Sequence, residues 1–105
     1  MIGPVDPSGF EEHVLGGEAA IVDFWAPWCK PCEAIAPHLE AIGAERGLPV
    51  VKVDIDVQAG IASRYGVLSL PTVVLFVGGE PRATVYGAQP RERYERAVAA
   101  HVTAS

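Results

Sequence analysis

Two apolar runs separated by one helix-length segment constrain this chain more than anything else in it. Ala19–Trp25 reads AAIVDFW, apolar or aromatic at every position except Asp23. Pro49–Asp56 is a second apolar run, with Lys52 as the charge in its middle. A strand that is apolar on both faces has to be covered on both, which is the situation of a strand inside a parallel sheet. From Cys32 to about Arg46 the apolar period changes to that of a helix, with Ile35, Leu39 and Ile42 on one face and Gly47 as the stop. Strand, helix and buried strand make a βαβ unit, whose crossover is expected to be right-handed.

The flanking segments add to this unit without competing with it. Ser8-Gly9-Phe10-Glu11 has the spacing of a capping box, predicting a short helix to about Leu15 that Gly16-Gly17 ends. Ala59–Tyr65 predicts another short helix, ended by Gly66. Thr72–Val77 and Arg82–Tyr86 read as strands joined through Gly78-Gly79, a hairpin signal. Pro90 suits the first position of a last helix, in which Tyr94, Ala97 and Val98 face inward and Glu92 pairs with Arg96. Pro37 is expected to kink the long helix.

The chain has 105 residues, half of them hydrophobic and a fifth charged, which fits one domain with a sizeable core, residues 1–105. A core of that size needs no disulfide staple, which leaves the two cysteines free for chemistry. The net charge of −5 argues against nucleic acid as a partner. No run approaches the roughly 20 apolar residues of a membrane span, and the first residues show no secretory pattern. The expected setting is the cytoplasm, where thiols stay mostly reduced.

Cys29-Lys30-Pro31-Cys32 follows the first buried strand and opens the amphipathic helix. Two intervening residues bring the sulfurs within bonding reach once Cys32 lies in the first helical turn. Cys29 then stands at the helix N-terminus, where free N–H groups and the macrodipole favour thiolate over thiol, and Lys30 adds a positive charge beside it. Cys32, one turn further in, should be more buried. Half of a zinc site is the other meaning of such a pair. Structural zinc takes four ligands, however, and His13, His38 and His101 are scattered, so no metal is expected.

The stretch Val22-Asp23-Phe24-Trp25-Ala26-Pro27-Trp28-Cys29-Lys30-Pro31-Cys32 resembles the signature of the thioredoxin family. The resemblance continues through Ile35-Ala36-Pro37, Val51-Lys52-Val53-Asp54, Leu70-Pro71-Thr72, Gly79 and Gly87-Ala88, in the family's order. It implies the α/β thioredoxin fold, a mixed sheet of about five strands flanked by four helices. It implies protein-disulfide reduction by dithiol–disulfide exchange, with no bound cofactor beyond a redox-active Cys29–Cys32 disulfide. Partners would be disulfide-containing proteins and, as electron donor, a flavin-dependent, NADPH-fed thioredoxin reductase, with the chain acting as a monomer.

By similarity, Cys29 attacks the target disulfide, Cys32 resolves the mixed disulfide, and Asp23 accepts the proton of Cys32. A carboxylate inside an apolar strand is costly to ionise, so its pKa should rise toward the range of a general base; an Asp turned to solvent is the alternative. Lys52 would modulate Asp23, or else snorkel to water from a sheet edge. Leu70-Pro71 matches the family's cis-proline loop, which would leave the Leu70 backbone free for an extended substrate. Trp28, Pro31, Leu70, Gly87 and Ala88 would form a shallow apolar docking rim, and Trp25 would pack beneath the site.

Lys30 departs from the family pattern, which has glycine between the first cysteine and the proline. By stabilising the thiolate it should make the dithiol a weaker reductant, and it changes the charge of the rim. An oxidase or isomerase of an oxidising compartment is disfavoured by Pro31 before Cys32. A pure binding module is disfavoured by an intact cysteine pair with Asp23 beneath it.

Overall fold

The computed structural model of the protein describes residues 2–102. A short edge strand β1 (Ile2–Pro4) leads to a single-turn helix α1 (Pro7–Phe10), which continues as a π-helical turn, Glu11–Leu15. The unit anticipated from the two apolar runs follows: β2 (Ala19–Trp25), the long helix α2 (Lys30–Arg46) and β3 (Val50–Asp54). Helix α3 (Ala59–Arg64), the hairpin β4 (Thr72–Val77) and β5 (Glu80–Tyr86), and α4 (Arg91–Ala99) complete the chain. The strands form one mixed sheet in the order β1-β3-β2-β4-β5, flanked by four helices as expected.

Strand β2 lies in the middle, parallel to β3 and antiparallel to β4. Its residues alternate between two apolar layers, as the period of a strand requires. Ala20, Val22 and Phe24 join Phe10, Val14, Ile61 and Phe76 on one face, where Phe10, Tyr65 and Phe76 meet edge-on or tilted. Ile21 joins Ile35, Leu39 and Ile42 of α2 and Tyr94 and Val98 of α4 on the other. Each of those α2 side chains is buried, contributing about 1.5–3 kcal/mol apiece. The near-continuous apolar run in β2 is therefore the signature of a strand with helices on both sides.

The caps of α1 and α4 differ from the sequence reading. Asp6, not Ser8, caps α1: its carboxylate accepts the Gly9 N–H at 2.8 Å, and Pro7 takes the first helical position, where its missing N–H costs nothing. At α4, Pro90 is itself the cap residue, with extended backbone (ψ 153°), and Arg91 begins the helix. Glu92 and Arg96 form no ion pair; instead Arg91 Nε donates to His38 Nδ1 at 3.1 Å, tying α4 to α2. Gly47 ends α2 in the left-handed region (φ 66°), as its position implied.

The hairpin turn carries more than a change of direction. Gly78 and Gly79 both have positive φ, 62° and 80°. At Gly79 an added Cβ would lie 2.6 Å from the Leu15 carbonyl oxygen, whereas at Gly78 it would meet nothing within 4 Å. The hairpin tip thus seats directly against the backbone that ends the first helical segment. Gly78→Ala should cost about 1 kcal/mol, from backbone conformation alone. Gly79→Ala should lose about 1–3 kcal/mol more through the clash; urea-unfolding midpoints of the two variants measure the gap.

Candidate active site

Helix α2 begins two residues earlier than its apolar period suggested, and this places Cys29 at its cap position. The Cys29 backbone is extended (φ −93°, ψ 100°), its N–H donates to Ala26 O at 3.0 Å, and its Sγ accepts the Cys32 N–H at 3.3 Å. The sulfur therefore takes one of the free donors of the helix end, the interaction that stabilises a thiolate once the pair is reduced. Cys29 and Cys32 are joined in a disulfide, with Cα atoms 5.3 Å apart. Pro31 follows within the first turn, where no intrahelical N–H is needed.

Both cysteines have little exposed area, 5% for Cys29 and 3% for Cys32, too close to separate them. Access does separate them. Cys29 lines a surface groove with Trp28, Lys30 and Pro31, and Cys32 does not. The rest of the groove comes from Ile55, after β3, and from residues 67–70, after α3. Of these, Ile55, Val67 and Leu68 had no signal in the sequence. Trp28 and Leu68 are exposed, and the Trp28 indole is fixed by a 2.7 Å hydrogen bond from Nε1 to Asp56 Oδ2.

Facing this loop, the Leu70–Pro71 peptide is cis and Pro71 is buried. Thr72 Oγ1 donates to Ser69 O at 2.7 Å, and Gly87 N donates to Pro71 O at 2.9 Å. Among the described residues the Leu70 N–H and C=O have no backbone partner. Gly87 and Ala88 do not line the groove. Gly87 sits at the end of β5 with φ 76°, held between Pro71 and Tyr94, whose hydroxyl donates to Gly87 O at 2.9 Å and accepts from Gln89 N at 3.1 Å. Tyr94 was expected only as a core residue.

Asp23 lies on the face of β2 covered by α2, between Ile21 and Trp25, and is 1% exposed. Its Oδ1 has no hydrogen-bond partner. Loss of hydration lifts its pKa from the ordinary 3.8 to about 6, with the Lys52 ammonium pulling the other way. Lys52 is the register partner of Asp23 across the parallel β2–β3 pair, so the two project to the same face. The Lys52 ammonium rests 4.2 Å from the centre of the Trp25 ring and makes no ion pair with Asp23. Trp25 packs against the cysteine pair from below, with a buried, unpartnered Nε1. Among the described residues no three His, Cys, Asp or Glu side chains converge as a metal site.

Comparison with known proteins agrees with this geometry. The thioredoxin family model matches residues 2–100. A thioredoxin of Streptomyces clavuligerus is 48% identical over 84 residues, covering 78% of each chain. A thioredoxin of Bacillus subtilis is 43% identical, covering 78% of this chain and 81% of that one. A solved thioredoxin variant from Halobacterium salinarum superposes with a TM-score of 0.85 at 28% identity, covering 93% of this chain and 88% of the other.

The raised pKa of Asp23 makes stability depend on pH in a defined direction. Below about pH 4 the group is protonated in folded and unfolded chains alike and costs nothing. Between about 4 and 6 the folded protein holds a proton that the unfolded chain has lost, so stability falls as pH rises, and it levels off above 6. The lift from 3.8 to about 6 corresponds to about 3 kcal/mol. Asp23→Asn should therefore stabilise the oxidised protein by about 3 kcal/mol at pH 7.5 and by nearly nothing at pH 3.5, read from denaturant unfolding at the two pH values.

Proposed function

The chain belongs to the thioredoxin family and performs thiol–disulfide exchange through Cys29 and Cys32; from that premise we propose that it is a net reductant of protein disulfides in which Cys29 attacks, Cys32 resolves and Asp23 accepts the resolving proton. The Cys29 thiolate attacks one sulfur of the client disulfide, forming a mixed disulfide and releasing the client's other sulfur as a thiolate. Cys32 gives its proton to Asp23, attacks Cys29 Sγ, and expels the second client sulfur. The client gains two electrons, and the protein ends with the Cys29–Cys32 bond. The observation that carries this order is that Cys29 alone of the pair opens onto the groove.

The remaining assignments follow from the same surroundings. With a pKa of about 6, Asp23 is mostly ionised at neutral pH yet close enough to it to take and return a proton. Lys52 favours the ionised form of Asp23 while stacked on Trp25. Trp28, Pro31 and Leu70 give an extended client segment apolar contact beside Cys29, and the unpartnered Leu70 backbone offers it strand-like hydrogen bonds. Pro71 and Gly87, joined by the Gly87 N to Pro71 O hydrogen bond, support that edge from behind. Main-chain recognition tolerates many sequences, as a general reductant requires.

Disulfide-bearing proteins are the substrates. Two electrons and two protons must return to the disulfide after each cycle, and a flavin-dependent, NADPH-fed thioredoxin reductase is the proposed source. Net reduction needs a compartment that keeps thiols reduced, which favours the cytoplasm. Residues 1–105 would act as one domain and one monomer. No helix among the described residues is long and apolar enough to cross a membrane.

Insulin reduction tests the order of attack. Cys29→Ser should abolish it, whereas Cys32→Ser should lose turnover but accumulate a covalent mixed disulfide, visible by mass spectrometry and released by dithiothreitol. Full activity in Cys29→Ser, or trapping through Cys32 in that variant, would overturn the assignment.

A further inference from the structure

The groove beside Cys29 is apolar except for Ser69 and one charge, Lys30. That charge is unusual in its setting. The chain as a whole carries −5, so its far field repels acidic partners. Lys30 is exposed at the first position of α2 and, among the described residues, has no acidic partner within 4.0 Å. Glu33, one turn further along α2, does not reach it. Asp56, the carboxylate near the loop, is taken up instead by the Trp28 indole.

We propose that Lys30 is a specificity-determining residue, selecting client disulfides whose cysteine is flanked by a carboxylate side chain. This rests on the exchange reading above. A client sulfur that reaches Cys29 brings its neighbouring residues along the groove, within range of the Lys30 ammonium. A carboxylate there forms a pair with a cation that no described residue of this chain satisfies. Contact with apolar walls lowers the effective dielectric relative to open water, so the attraction exceeds that of a fully solvated pair. A lysine in the same client position meets like charge in the same space. A uniformly apolar rim would accept clients without this preference.

The test uses pre-reduced protein and symmetric disulfide dimers of one short peptide, with Glu, Gln or Lys beside its single cysteine. Each single turnover passes two electrons from the Cys29/Cys32 dithiol to the dimer, giving two peptide thiols and the Cys29–Cys32 bond. Rates are compared as ratios between peptides within one protein variant, so any effect of Lys30 on the reactivity of Cys29 cancels. In the unmodified protein the Glu dimer should react about threefold faster than the Gln dimer, and the Lys dimer slower than either. Lys30→Gln should remove about threefold from the Glu-to-Gln ratio, Lys30→Glu should invert it, and 1 M salt should flatten it. The same ratio in the unmodified protein and in Lys30→Gln would overturn the proposal. Failure to reduce any of the dimers would instead overturn the exchange reading, and this inference with it.

Discussion

Covering β2 on both faces is the constraint from which the rest of the structure follows. Its apolar residues can be kept from water only if helices stack on each side of the sheet, and this forces α2 to cross from β2 to β3 over one face while α1 and α3 close the other. The crossover also fixes where α2 begins. The helix has to start just beyond the C-terminal end of β2, so its free N–H groups face the loop that carries Cys29. A helix start at the carboxyl end of a buried parallel strand is a general location for polar chemistry, because field and access coincide there. Here the chemistry is that of a sulfur.

The same burial creates a charged group the fold would be more stable without. Asp23 gains no hydrogen bond for Oδ1, and its ionised form is disfavoured by lost hydration. Lys52 offsets part of this from the neighbouring strand, yet its ammonium is held over Trp25 and does not form a close pair. A tight pair would drop the pKa of Asp23 further below neutrality and work against the proton-accepting role proposed for it. The looser arrangement keeps the carboxylate near 6, at a cost of about 3 kcal/mol in the ionised state. Position on one strand face gives Asp23 its burial; register with β3 gives it its cation.

Opposite the sulfurs, the groove wall is held mainly by backbone. Gly87 N to Pro71 O joins the ends of the β4–β5 hairpin, and the Tyr94 hydroxyl of α4 grips Gly87 and Gln89. The hairpin tip at Gly79 rests on the Leu15 carbonyl at the other end of the molecule. Both ends of β4–β5 are thus tied to helical segments, which leaves Leu70 projecting into the groove with its own N–H and C=O free. This free backbone edge is the one proposed above to pair with an extended client segment.

Local sequence determined the elements and the reactive pair. Periods of two and of 3.6, glycines at Gly47 and Gly78-Gly79, and the Cys-x-x-Cys spacing each act over a few residues, and the elements they predict appear with ends shifted by two residues or fewer. Near misses were also local: Asp6 outcompeted Ser8 as a cap because Pro7 already supplied the first helical residue, and Pro90 capped α4 because its extended ψ cannot belong to the helix. The groove was different. Ile55, Val67 and Leu68, the Asp56 hold on Trp28, the Tyr94 clamp on Gly87 and the seat of Lys52 over Trp25 join residues distant in the chain or on separate elements. No periodicity encodes such meetings, because they depend on how the sheet and its helices pack. The sequence alone determined that two sulfurs would meet at a helix start with Cys29 as the outer one; only the packed fold decided which side chains form the groove beside it.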